Sequence, residues 1–210
     1  MTATTQRRYA KQTAEERRVE RRARLLDAGL EAFGTLGYAA TAIEQLCADA
    51  AVSTRTFYEE LGSREALLIA LHDIINNRAV SAVIEALAST PQDDLSARAH
   101  AGARAYFQVM TSDARFARIA VVETVGISAN VEQARRAALD SFAELIDGEA
   151  QRLAELGLVP RRDHSLTAHA LVGAILELVN TWRANADSPT FVDDVTDEAA
   201  RLIVAALTAP

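Results

Sequence analysis

With one cysteine, Cys47, the chain can form no disulfide within itself, and four prolines and nine glycines leave few positions where a helix is forced to stop. Aromatic residues make up only 5% of the 210 residues, while Ala, Leu, Arg and Glu dominate, a balance that favours helices over sheets. No run of 18 consecutive apolar residues is present, and the first residues lack the apolar core and small-residue cleavage site of a secretory signal. A cytoplasmic protein with no membrane partner is expected. His72, His100, His164 and His169 show no paired ligand spacing and lie far along the chain from Cys47, so no metal site is expected. The chain also lacks a phosphate-cradling glycine loop and a serine with an identifiable base. We expect neither an enzyme nor a cofactor.

What is present is a large apolar fraction, 50% of the residues, enough for a substantial core and an all-α fold. The net charge of −7 hides an asymmetry: residues 1–24 carry eight basic and three acidic side chains. Such a run is either a solvated helix face or an arm that seeks phosphates.

Helix starts can be located from side chains that bond the free amides of a first turn. Thr13 with Glu16, and Thr41 with Glu44, both have the spacing of a reciprocal capping box. The first predicts a helix over 13–36, with Leu25, Leu26, Leu30 and Phe33 at helical spacing and Gly37 at its end. The second predicts a short helix over 42–49, whose stripe of Ile43, Leu46, Cys47 and Ala50 makes Cys47 a buried small hydrophobe. Ala50 to Ser53 then forms a turn, and Ser53 caps a third helix whose Phe57 must fold back on Ile43 and Leu46. Two short helices joined this tightly form a helix-turn-helix, which can place its second helix in a major groove. Ser63 caps a long fourth helix with the stripe Leu67, Leu68, Leu71, Ile74 and Ile75.

Beyond a break at Ser89-Thr90-Pro91, where Thr90 is the expected cap and Pro91 the first helical residue, five more helices are expected near 93–111, 113–125, 129–156, 164–186 and 192–208. About nine helices result. The helix over 164–186 is apolar on most sides: Leu171, Ile175, Leu178 and Trp182 mark one face, Val172 and Leu176 another, beside the small residues Ala170, Gly173 and Ala174. We expect Leu171, Ile175, Leu178 and Trp182, with Leu202 and Ala206 of the last helix, to form a dimer interface; an ordinary core helix is the alternative.

The pattern from Ala28 and Phe33 through Gly37-Tyr38, Thr41, Ile43, Val52-Ser53, Thr56-Phe57-Tyr58 and Ser63-Arg64-Glu65-Ala66-Leu67 resembles the TetR family of bacterial transcriptional regulators. The resemblance covers about residues 20–70. It implies a basic arm and helix start over 1–19, a three-helix DNA-binding domain over 20–70, and a helical effector-binding and dimerisation domain over 71–210. It further implies a homodimer that binds double-stranded DNA at a palindromic operator and, as a repressor, is released by a small organic effector. Thr41 and Tyr58 would contact phosphates, Arg64 would sit by the backbone, and Thr54, Arg55 and Thr56, following Ser53, would face base edges. Arg55 can reach a guanine with two hydrogen bonds.

Two departures stand out. Ala51 occupies a turn position where the family commonly has Gly, so a positive φ there carries a cost. Glu59-Glu60-Leu61 replaces a usual His-Phe pair, and a carboxylate at position 60 repels phosphate. Residues 1–75 hold ten basic and eleven acidic groups. The arm residues Arg7, Arg8 and Lys11 are therefore expected to reach the DNA backbone or an adjacent minor groove. For the effector, polar and aromatic groups on otherwise apolar helices are the candidates: Tyr106, Met110, Phe116, Glu123, His169, Glu177 and Asn180. Each has a structural alternative as a satisfied core or surface group. Two other functions fit the same residues: a helical interaction protein that has lost DNA binding, and a DNA-binding dimer governed by a protein partner.

Overall fold

The computed structural model describes residues 13–185 and 191–209, and among these it forms nine α-helices and no strand. Helix α1 spans Ala14–Thr35. Thr13 caps it as the spacing predicts: its hydroxyl accepts from the Glu16 amide, and the Glu16 carboxylate accepts from the Thr13 amide at 2.7 Å. Leu25, Ala28, Ala32 and Phe33 form its buried face. At the other end Gly37, with φ 99°, lets the chain turn back so that its amide bonds the Ala32 carbonyl.

Helix α2 covers Ile43–Asp49, but the second capping box does not form. Thr41 is buried and donates its hydroxyl to the Gly37 carbonyl at 2.8 Å, leaving Ala42 as a cap without a side-chain bond. A threonine four residues past a left-handed glycine has this local acceptor within reach, and burial favours it over the helix amide. Helix α3 covers Thr54–Leu61 and is capped by Ser53, which accepts from the Thr56 amide. Its Phe57 is fully buried in the core that also holds Leu46 and Cys47.

Helix α4, Arg64–Ala88, runs from this small domain into the larger body. One window of it has a mean hydropathy of 1.3, high enough for a membrane span by length and composition, yet Leu67, Leu68, Leu71, Ile75, Ala79 and Val83 are buried against other helices. Helix α5 covers Leu95–Ser112 and starts later than Thr90-Pro91 suggests. Asp94 is its cap, accepting from the Ala97 amide, while the Thr90 hydroxyl donates to the Ala86 carbonyl and so finishes α4 instead. The single helix expected over 113–125 is a short α6, Ala114–Arg118, running into a π-helical turn, Ile119–Glu123. Helices α7, Ala129–Glu155, α8, Ser165–Ala184, and α9, Phe191–Thr208, complete the body.

The main core runs without interruption from Leu25 of α1 through α4 to Ala200 of α9, so the two domains share one apolar interior. Large side chains of α8 and α9 are spent inside the body. Leu171 and Trp182 are buried, Ile175 and Leu178 pack on the main core, and Leu202 and Ala206 pack on a second cluster around Leu153 and Val159. Of the six residues expected at a dimer interface, Ile175, Leu178, Leu202 and Ala206 remain partly exposed in the single chain. A helix apolar on most sides does not announce which side is outermost, and here the bulkier residues fill the space between helices. The outward row of α8 is Leu166, 85% exposed, followed by Ala170, Gly173 and Glu177.

Candidate functional site

The outward face of α3 is built by what its inward face must do. With Phe57 and Leu61 buried, Thr54, Arg55, Tyr58 and Glu59 point to solvent, and Tyr58 is 51% exposed. Ser53 is also exposed, but its oxygen serves the cap and lies 2.9 Å from the Thr56 hydroxyl. Arg55 pairs with Glu59 one turn on at 2.8 Å. Both side chains are well exposed, so the pair is worth little and can exchange for a base edge.

Glu60 does not repel a phosphate from this surface. Its side chain is only 5% exposed and lies between Arg18 and Arg21 of α1, with Arg21 at 2.8 Å. The hydrogen bond from Arg21, against the opposing effect of burial and helped by Arg18, holds its carboxyl below the usual range. Arg22 donates to the Glu60 carbonyl, and Arg24 to the Ala50 carbonyl that closes α2. Much of the basic run in α1 therefore braces the helix-turn-helix. Arg7, Arg8 and Lys11 lie outside the described residues.

Two other expected phosphate contacts are engaged internally. Thr41 is buried, and Arg64 donates to the Thr41 carbonyl while its guanidinium stacks on the Tyr38 ring, 4.2 Å from the centroid. The reason is geometric: the start of α4 faces the Gly37 to Thr41 turn, which offers an aromatic face and a carbonyl together. In the structure Ser53, Thr54, Arg55 and Tyr58 form the open surface, with Thr56 half-buried beside them.

The same turn meets the larger body. Glu123, at the end of the π turn, accepts the Tyr38 amide at 2.7 Å and the Arg118 guanidinium at 2.8 Å. Arg118 also reaches the Thr35 carbonyl. A Cβ at Gly34 would overlap the Arg115 side chain, so glycine permits this close approach of α1 and α6. Glu123 was expected at the effector; it is a domain contact instead, because its carboxylate finds an amide and an arginine there.

The body encloses a cavity of about 250 Å³ between α4, α5, α7, α8, α9 and the π turn. Its walls are chiefly apolar, from Val83, Leu87, Leu139, Phe142, Ile175 and Leu176. Wall residues on α7 run from Arg135 to Leu153, a distance of roughly 27 Å at 1.5 Å per helical residue, so the lining is long. Near Leu87, Arg98 and Glu149 form a buried pair, with Arg98 Nη2 3.0 Å from Glu149 Oε2 and further bonds to the Leu87 and Thr90 carbonyls. Burial opposes ionisation of Glu149, but bonds from Arg152 and Arg98 outweigh it and hold its carboxyl low.

Of the residues expected at an effector, Tyr106 and Asn180 border this cavity. Burial pushes the Tyr106 hydroxyl well above its ordinary range, so it is a neutral donor. Met110 is fully buried in the core and is not among the wall residues. Phe116 stacks under Arg78, Glu177 faces solvent, and His169 is exposed, bonding the Ser165 carbonyl and lying 3.4 Å from Asp140. These depart from expectation for one reason: a polar residue in an apolar helix can also mark the edge of its stripe. Sequence reasoning missed His72, Asn76, Arg98, Arg135 and Glu149 on the wall. His72 and Arg98 carried a usable signal, since each falls on the buried stripe of its own helix.

A capped, braced and exposed recognition helix, joined by polar contacts to a body with an apolar cavity, has the form of a helix-turn-helix DNA-binding protein. Residues 25–71 match the family of bacterial regulatory proteins, tetR family. That match covers the helix-turn-helix end of the chain, from the middle of α1 into α4. Its whole fold is similar to FadR of Bacillus subtilis in complex with stearoyl-CoA, with 17% identity, 88% of this chain and 98% of that one covered, and a TM-score of 0.77. It is similar also to FadR of Bacillus halodurans, at 16% identity over 92% and 96% of the chains and a TM-score of 0.78. PfmR of Thermus thermophilus matches at 20% identity over 87% and 97%, with a TM-score of 0.67.

Proposed function

We propose that the protein is a homodimeric repressor that holds a palindromic operator and leaves it when a small, largely apolar organic effector enters the cavity. One observation carries this reading: the π turn presents Ala120 and Val121 to the cavity and, two residues on, Glu123 to the Tyr38 amide of the DNA-binding domain. A π turn inside a helix is a frequent mark of function, because its loosened hydrogen bonding can adjust. A ligand that moves Ala120 and Val121 thereby moves the turn before α2, and operator affinity falls by the difference in ligand binding between the two arrangements.

The long apolar lining suits an extended hydrocarbon chain, and the Bacillus subtilis neighbour was solved with stearoyl-CoA. Withdrawal of Glu60 by Arg18 and Arg21 removes the main objection to DNA binding. Arg7, Arg8 and Lys11 then supply contacts to the backbone or minor groove. The outward row of α8, in which Ala170 and Gly173 let a neighbour approach closely, with neighbouring α9, is the dimer surface of this reading.

Selection of bound sequences from random DNA, repeated at two salt concentrations, should return a palindrome with strong salt dependence. Recovery of no sequence would leave an interaction protein in its place. Gly173→Arg tests the dimer, because a Cβ at position 173 meets nothing within 4 Å in the single chain. The variant should fold normally, sediment as a monomer and lose operator affinity; an unchanged dimer would move the interface elsewhere.

A further inference from the structure

The cavity has a neighbour. On the outer side of the seam between α4 and α7, a surface hollow of about 440 Å³ is bordered by Asp73, Asn77, Asn130, Gln133 and Ser141. Asn76 and Ala138 line both spaces, so the wall between them is there one side chain thick. Alanine at 138, flanked by Ala134 and Ala137, keeps that wall thin.

One turn before Asn76 stands His72, 2% exposed and on the cavity wall. Its Nδ1 has no hydrogen-bond partner among the described residues and lies 3.7 Å from an Asp73 oxygen. A buried polar atom without a partner is unusual in a native protein and points to a missing ligand group or water. Burial lowers the His72 pKa, and Arg135 adds to this against the opposing Asp73, so the ring is a neutral hydrogen-bonding group. Asn76 donates one amide hydrogen to the His72 carbonyl at 2.8 Å, and its side chain borders both spaces.

The chemistry of the hollow is selective. Its amides and hydroxyl are uncharged, and among the described residues that border it Asp73 alone carries a formal charge. Arg135, the cation on the inner wall near His72, is already held by both oxygens of Glu132, at 2.7 and 2.9 Å. A carboxylate or phosphate placed here meets a negative charge and a cation that is already paired.

The geometry points to a single amphipathic ligand site that passes through the α4–α7 seam. An apolar chain fills the cavity, His72 and Asn76 bond the oxygen at the neck, and an uncharged head of amide or hydroxyl character lies in the outer hollow. This deepens the effector reading above and rests on it. It also separates this chain from a regulator of free fatty acids, whose head is an anion.

The test compares three ligands with the same dodecyl chain, used below their micelle-forming concentrations: 1-monododecanoylglycerol, dodecanoate and dodecyltrimethylammonium. Each displaces the neutral dye N-phenylnaphthylamine from the full-length protein. The glycerol ester should displace it at a concentration at least ~10-fold lower than either charged probe, as expected when a polar head meets matched rather than mismatched partners. The surface variant Asn77→Ala/Gln133→Ala should weaken the ester ~10-fold and leave dye binding unchanged. A charged probe that equals the ester, an ester that fails to displace bound dye, or a double variant without effect each overturns the inference alone. Failure of the dye itself to bind overturns the effector reading and this inference with it.

Discussion

The DNA-binding domain and the larger body use the same residue types in opposite ways. In the small domain, arginines of α1 reach across the surface to Glu60 and the Ala50 carbonyl, half in water, and hold a short recognition helix at a fixed angle. In the body, Arg98 and Glu149 are taken out of water and face each other beside an apolar cavity. The first arrangement gives position at small cost. The second carries a desolvation cost that only a complete set of partners offsets. The comparison teaches that charge on a helix is informative only once its exposure is known.

The sharpest way to break this contrast is to remove one cation from each region. Arg98→Ala leaves Glu149 without its partner from α5 and strands the Leu87 and Thr90 carbonyls, and it should destabilise the fold by about 3–5 kcal/mol. Arg18→Ala, at a side chain 60% exposed, should cost less than about 1 kcal/mol. Chemical denaturation of both variants decides the matter; equal losses would erase the distinction.

The next effect falls on function and spares stability. Arg55 is exposed and, among the described residues, pairs with Glu59 alone, so Arg55→Ala should leave the melting temperature within a degree or two of its original value. Operator binding should weaken by about 1–3 kcal/mol, and discrimination at one base pair should relax. Loss of affinity equal on every sequence would make Arg55 a phosphate contact instead.

Acid should affect both regions, the body more visibly. Glu60 and Glu149 both have carboxyls held below their ordinary value of 4.5. A group depressed in the folded state stabilises above its unfolded pKa and loses that contribution as pH falls through the folded one. Stability should therefore be level above about pH 5 and decline progressively below 4.5. Glu149→Gln should be less stable at neutral pH but flatter in acid; a parallel acid limb in variant and parent would assign the decline to other carboxylates.

How much was legible in the sequence differs between the regions for physical reasons. The small domain announces itself through local rules: Thr13, Ser53 and Ser63 each cap a helix within three residues, and Phe57 must be buried for α3 to hold. What stayed hidden were contacts across long separations, such as Arg21 with Glu60, 39 residues apart, because no local pattern pairs them. In the body the helices could be placed, but cavity and core are lined by the same apolar residues. Tyr106 and Asn180 border the cavity, whereas Glu123 and His169 found partners elsewhere that periodicity cannot reveal. Which side of α8 is outermost was hidden as well, because its large residues pack between helices while Ala170 and Gly173 lie outward.

The smallest effect tests the most local feature, the turn that aims α3. Ala51 has φ 51°, the only described non-glycine residue with a positive φ. An L-residue held there costs roughly 1–2 kcal/mol, which glycine avoids while conceding about 0.5–1 kcal/mol of backbone entropy. Ala51→Gly should thus stabilise the protein by up to about 1 kcal/mol. Its effect on operator affinity should be nil if the turn angle is set by the braces on Glu60 and Ala50 rather than by residue 51 itself. A stabilised variant with weakened DNA binding would show that alanine, by resisting other turn conformations, contributes to the aim of the recognition helix. Equal affinity with a higher melting temperature would assign that aim to the arginines of α1.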